Sequence, residues 1–301
     1  MSVDINTDFI EFFIKNIPSK YDYKPIYHYT SPNGFLDIIK ENKLWFTRYD
    51  CLNDYTEREY IFDVFKSVCE KLVETKQISK KLYDDIIDLE IDKKEFLPYY
   101  DDSLYYGEFE SEYYICCFSR DRDSLPMWNY YSKDNRYEGY NLEFSSDIID
   151  YLRNKNRKCS MKVFDVIYDK QEQEKRIGGA ILKLEDIIDK NNKKSFKREL
   201  AEFIKTYAFV FKNPCFQHEK ETRIILIIPK EGNSFYPIQY RNSNGCIVPY
   251  VEYEFDKDSM TGVTIGPLIN AEIAEKTVWR MLKDNGYLSD NIVKSKVPIR
   301  F

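Results

Sequence analysis

Histidine is almost missing from this chain: 301 residues contain 2, His28 and His218. Chemistry built on several imidazoles is narrowed at once, and no H-E-x-x-H zinc signature occurs. "QHEKE" at 217 to 221 gives His218 a neighbouring glutamate but no partner four residues on. Glycine and proline are also sparse, at 10 and 11, which excludes collagen-like, linker-rich and low-complexity chains. Neither G-x-G-x-x-G nor G-x-x-x-x-G-K-[ST] is present, so a nucleotide would have to be held without a phosphate-cradling loop. The absence of G-x-S-x-G argues against a serine hydrolase.

Cysteines number 7 with no C-x-x-C spacing, a pattern of reduced thiols and not of a disulfide framework or zinc knuckle. Cys116 and Cys117 would point to opposite faces of a strand, so they do not share a metal, and no metal site is expected. No stretch approaches the roughly 18 to 20 apolar residues of a membrane helix. The opening "MSVDINTDFIEFF" lacks a basic-then-apolar signal pattern. Positive charge is not in excess either, with 45 Lys and Arg against 51 acids, so no global field recruits a polyanion. A cytoplasmic protein with no membrane partner is expected. The one local basic cluster, Arg120, Arg122, Lys133 and Arg136, is offset by Asp121, Asp123 and Asp134.

What the chain does have is aromatic and apolar mass: 26 Tyr, 20 Phe, 3 Trp and 43% hydrophobic residues, enough for a substantial core. "TDFIEFFIKNI" predicts a short N-terminal helix. "KPIYHYT" reads as a strand, "SPNGFLDIIKENK" as a helix capped by Ser31 with Pro32 in its first turn, and "LWFT" as a second strand. Residues 57 to 96 follow as a helical pair, with Tyr60, Ile61, Val64, Phe65, Val68 and Leu72 on one face. Strand-like runs recur at 112–119, 137–144, 161–168, 222–229, 247–255 and 262–267, with helices at about 171–189, 195–212 and 270–285. Because helices and strands do not alternate strictly, α+β is expected over a doubly wound sheet. The expected organisation is one domain over 1–301 with 57–96 as a helical insertion or lid.

Two stretches carry candidate chemistry. In an extended "EKETR", Glu219, Glu221 and Arg223 fall on one face, just before the apolar "IILIIP" of a central strand. Carboxylates there are costly unless paired, hydrated or used. A structural Glu221–Arg223 bridge is the plain alternative to a site. "CFSRDRDSLPMWNYYS" ends a strand at Ser119 and enters a turn of helix bearing Met127, Trp128 and Tyr131, which are either core or an apolar wall for a flat ring. Asn53 and Asp54 of "NDYTE" fit helix capping.

The ordered words "IYHYTSPNGFLDIIKENKLWFTRYDCLND", "CFSRDRDSLPMWNYY", "HEKETRIIL", "VTIGP" and "KSKVPIRF" resemble an uncharacterised bacterial domain family that recurs among phage-defence and abortive-infection genes. The opening "YHYTSPNGFLDIIKENKLWF" also looks like the start of the ADP-ribosyltransferase fold, shared by DNA-modifying toxins and RNA phosphotransferases, in which a strand ending in H-x-T precedes a helix and a second strand. That resemblance implies a mixed or antiparallel sheet core with peripheral helices, and NAD as substrate. It assigns catalysis to Glu221, Glu219 and His28. For NAD contact it implies His28, Tyr29 and Thr30 from the first strand, Phe46 and Arg48 from the second, and Ser119, Trp128 and Arg223. Tyr29, Phe46 and Trp128 would sandwich the nicotinamide, while Arg223 or Arg48 would face the pyrophosphate. A fixed carboxylate stabilises the oxocarbenium-like state of glycosidic cleavage, and the acceptor would be a protein or nucleic acid. A non-catalytic nucleotide- or protein-binding sensor and a nuclease or RNA phosphotransferase are the rival readings.

Overall fold

The computed structural model describes residues 24–52, 57–87, 111–131, 137–155, 159–188, 207–229, 236–243, 245–288 and 290–299. The expected N-terminal helix, the Asn53 and Asp54 caps, Lys133, Asp134 and Arg136 lie outside these residues, as does most of the helix expected at 195–212.

In chain order the elements are β1 (Ile26–Thr30), α1 (Pro32–Glu41), β2 (Lys43–Arg48), α2 (Glu57–Glu74), α3 (Lys80–Ile87), β3 (Ser111–Ser119), α4 (Leu125–Tyr131), β4 (Tyr140–Phe144), α5 (Asp147–Lys155), β5 (Ser160–Asp165), α6 (Lys170–Ile188), β6 (Glu221–Pro229), β7 (Gln239–Ser243), β8 (Cys246–Glu254), β9 (Met260–Ile265), α7 (Ala271–Asp284) and β10 (Ile292–Lys294). The architecture is α+β with a mostly antiparallel sheet; among the described strand pairs of that sheet only β9 and β10 run parallel. None of the described helices is long and apolar enough to cross a membrane.

Two compact units divide the chain. The first, Met1–Ser19, Leu52–Tyr106 and Val166–Gln217, holds α2, α3 and α6. Here Ile61, Val64, Phe65, Val68 and Leu72 of α2 are buried, as the apolar spacing requires. Gln173 of α6 is fully buried yet satisfied: its amide donates to the Ile167 and Lys212 carbonyls at 2.6 and 3.0 Å and it accepts from Tyr60 at 2.7 Å. The helices of the expected insertion thus pack with a segment more than 100 residues downstream.

The second unit, Lys20–Cys51, Gly107–Asp165 and His218–Phe301, contains the whole described sheet. Helix α1 begins where Ser31 accepts the Gly34 N–H at 3.2 Å, and Pro32 supplies the preset φ of its first turn. It stops at Asn42, whose φ of 55° is left-handed and lets its N–H reach the Ile38 carbonyl. Phe35, Ile38 and Ile39 then pack on the sheet with Ile26, Leu44, Phe46, Phe118, Leu142, Phe144 and Tyr253.

Strand β3 organises this sheet. One of its edges is taken along its whole length by β6, from Ser111↔Pro229 to Ser119↔Glu221. The other edge is divided: β1 meets it at Tyr27↔Ser119, and β2 at Thr47↔Ile115 and Arg48↔Tyr114. From there β1 leads to β4, β9 and β10, while β2 leads to β8 and β7. The sheet therefore forks, with residues 116–118 of β3 at the crotch.

Candidate functional site

Directly paired residues of antiparallel strands share a face, and neighbours along a strand alternate. The registers then sort the candidate residues. Tyr27, Tyr29, Cys117, Ser119, Glu221 and Arg223 lie on one face; Ile26, His28, Cys116, Phe118 and Ile224 lie on the other. His28 is consequently not brought together with Glu221. Its ring sits 5.4 Å from that of Phe118, and its Nδ1 is 3.0 Å from the Cys117 carbonyl. Among the described residues no strand lies opposite that carbonyl in the fork, so the imidazole supplies the bond a β-ladder would have made. The bond fixes the proton on Nδ1 in neutral imidazole. Burial pushes the His28 pKa below its ordinary value, opposed by this hydrogen bond and reinforced by the nearby Arg241 cation.

The acids do share a crevice. Tyr27, Tyr29, Cys117, Ser119, Met127, Tyr131, Glu219 and Glu221 line it. Its free volume is about 10 Å³, close to the least that holds one water. The expectation that Glu219, Glu221 and Arg223 share one extended strand is corrected. Glu219 ends a 3₁₀ turn (Pro214–Glu219), and Lys220 at φ 45° breaks the alternation before β6 starts. Glu219 still reaches the crevice because its backbone is anchored there, its carbonyl accepting the Ser119 hydroxyl at 2.6 Å.

Glu221 and Arg223 form a bidentate pair, Nε to Oε1 at 2.8 Å and Nη2 to Oε2 at 3.0 Å, with side chains 6% and 1% exposed. The plain alternative is what this geometry matches: a buried ion pair whose charges compensate one another. Beside it, burial and the Glu221 charge hold the Cys117 thiol well above its ordinary pKa, so it is a protonated, unreactive thiol.

Two expected ring walls are core. Phe46 is fully buried and packs near Tyr253. Trp128 is 1% exposed, edge-on to Tyr29 at 4.8 Å, with its indole N–H donated to Asp123 at 2.7 Å. Tyr29 is buried in turn, donating to the Asp121 carbonyl at 2.8 Å and accepting the Ser124 N–H at 2.9 Å. None of these three rings presents a free face to a nicotinamide. Thr30 lies at the end of β1 against Gly34, and Arg48 pairs with Asp50 at 2.7 Å. Of the basic cluster, Arg120 is clamped by Asp165 at 2.9 Å and Arg122 faces Glu143 at 3.4 Å. No group of three His, Cys, Asp or Glu able to hold a metal occurs among the described residues.

Sequence reasoning missed Arg241, which stands beside the β2 prong of the fork. Arg241 of β7 reaches over Val248 and Tyr250 of β8 to donate its Nη2 to the Thr47 hydroxyl at 2.9 Å, with its guanidinium 5.6 Å from the Trp45 ring centre. "QYRNSNGC" reads only as a polar hairpin, and nothing local marks its arginine.

Residues 127–224 match the model of a family described as a protein of unknown function (DUF2971). A DUF2971 domain is found there. The match takes in Met127, Trp128, Glu219, Glu221 and Arg223 and leaves His28 and Arg241 outside. No curated protein and no solved structure matches the chain.

Proposed function

We propose that this chain is a non-catalytic binding module for a nucleotide-type ligand, taken where β1 and β2 part along β3. Ligand sites form in concave places lined by apolar side chains with a few polar groups. Here the Cys117 carbonyl faces the split, and the flat rings of Trp45 and Tyr250, 4.8 Å apart, stand on the β2 side, on the sheet face of Thr47 and Cys117 and opposite to that of His28.

Cleavage of NAD by the expected residues is not the better reading. A nicotinamide ring does not fit a crevice of about 10 Å³. What supports the binding reading is the Glu221–Arg223 clamp, which engages both carboxylate oxygens that an oxocarbenium would need. A nuclease or RNA phosphotransferase fares no better, since Arg120 and Arg122 are each opposed by an acid. The link to phage defence rests on the resemblance of the sequence words, and it makes infected-cell extract the natural source in which to seek the ligand.

The test is incubation of the purified chain with NAD, nicotinamide release being followed by mass spectrometry and binding by thermal shift. Intact NAD together with a saturable rise in Tm is the expected result. Nicotinamide release that disappears in Glu219→Gln would discard this reading and restore the NAD-cleaving effector.

A further inference from the structure

Two arginines in this sheet have opposite circumstances. Arg223 presents its Nε and Nη2 edge to a carboxylate and is satisfied. Arg241 presents the same edge differently: Nη2 meets the neutral Thr47 hydroxyl, and Nε is buried with no hydrogen-bond partner among the described residues. Among the described residues no carboxylate stands against it; the titratable groups that act on it are the Tyr250 phenol and the Cys116 thiol, both uncharged at neutral pH.

A half-buried guanidinium without a counter-ion is costly. Its stacking near Trp45 recovers part of that cost but gives the Nε–H no acceptor, because a ring face 5.6 Å from the guanidinium carbon does not substitute for an in-plane oxygen. Arginine cannot escape by losing its proton in this pH range. The group that would satisfy it is an anion offering two oxygens to the Nε and Nη2 edge, a geometry that phosphate matches.

We infer that Arg241 and Thr47 form an oxyanion receptor on the β2 prong of the fork, specific for the phosphate group of a small phosphorylated ligand. Thr47, 7% exposed, accepts from Nη2 through its oxygen and keeps its own hydrogen to donate to the same anion. Trp45 and Tyr250 form the apolar rim. This rests on the reading of the fork as the ligand site and adds to it the recognised group.

His28 makes the inference measurable, because the chain has 2 histidines and Arg241 is one of the charges acting on this one. The experiment is imidazole NMR of the full chain at fixed pH near 6.5, with His28→Asn assigning the signals. Sodium phosphate is titrated against sodium chloride of equal ionic strength. Expected is a saturable movement of the His28 signal toward the protonated form in phosphate only, as the anion offsets the Arg241 charge. In Arg241→Gln the signal should start nearer the protonated form and show no saturable response. Thr47→Val, which keeps the arginine, should weaken phosphate binding by about tenfold; should Arg241→Gln fail to fold, this variant decides. Wild type with no saturable response, or either folded variant with an unchanged one, overturns the inference. Adenosine and AMP separate the sources. AMP binding with adenosine silent ties the receptor to a nucleotide phosphate, whereas inorganic phosphate alone binding limits it to the free ion. Adenosine binding without any phosphate response leaves the fork reading standing and removes the receptor.

Discussion

Arg223 and Glu221 lie two residues apart on β6 and clasp each other through two hydrogen bonds of 2.8 and 3.0 Å, both side chains buried. Each charge is tolerable only because of the other. Glu221→Gln should therefore cost about 3–5 kcal/mol, the usual penalty for leaving a buried charge alone. Replacing both by methionine should cost markedly less than the sum of the single changes. Urea unfolding of Glu221→Gln, Glu221→Met, Arg223→Met and the double methionine variant checks this; a Glu221→Gln protein as stable as wild type would show that the pair is not structural.

Asp123 joins two segments far apart in sequence. Its Oδ1 accepts the Trp128 indole N–H at 2.7 Å and the Ser295 hydroxyl at 2.6 Å, and its Oδ2 accepts the Lys296 N–H at 2.6 Å. Trp128→Phe should lose one charge-assisted bond, about 1.5–3 kcal/mol. Asp123→Ala should do more, releasing residues 295–297 as well. Hydrogen exchange is the direct measurement: amide protection at Lys296 and Val297 should fall in Asp123→Ala and remain in Trp128→Phe.

Strong local signals identify the elements. Ser31 and Pro32 mark the start of α1, and the i, i+3, i+4 spacing of α2 marks its buried face. Pairing partners were another matter. Whether His28 meets Glu221 depends on register across β1, β3 and β6, over some 190 residues, and no local pattern encodes which of two adjacent residues, Tyr27 or His28, shares a face with Ser119. Glu219 departs from strand alternation for a local reason: Lys220 is left-handed, a conformation rare for a non-glycine residue and unmarked in the sequence. Arg241 was invisible because what distinguishes it is the absence of a partner, a property of the folded neighbourhood.

Asn42 closes α1 and also ties it to the rest of the second unit. Its amide donates to the Phe255 carbonyl at 3.0 Å and its Oδ1 accepts the Tyr287 hydroxyl at 2.9 Å, while its backbone holds φ 55°. Two substitutions separate these roles. Asn42→Gly keeps the left-handed turn at little backbone cost and loses only the side-chain bonds, about 1–2 kcal/mol. Asn42→Ala loses the same bonds and adds left-handed strain of about 1 kcal/mol. Thermal unfolding should rank wild type above Gly and Gly above Ala; equal Tm for Gly and Ala would mean that the backbone conformation contributes nothing.

The lowered pKa of His28 links stability to pH with a definite sign. In the folded chain burial, the leading cause, keeps the ring neutral, assisted by Arg241 and opposed by the Cys117 hydrogen bond. Unfolded, the ring titrates at its ordinary value of 6.5. Between that value and the lower folded one the unfolded chain binds more protons, so stability rises with pH across this window. The His28 contribution is complete above about pH 6.5 and is lost as pH falls toward and through the folded pKa, with a slope of at most about 1.4 kcal/mol per pH unit for one proton. His28→Asn removes the titration while leaving an amide able to donate toward the Cys117 carbonyl. Urea unfolding of wild type and variant at several pH values between 5 and 7.5 should give curves that converge as pH falls, all other titrating groups being common to both. If their separation stays constant across that range, His28 is not held neutral by the fold.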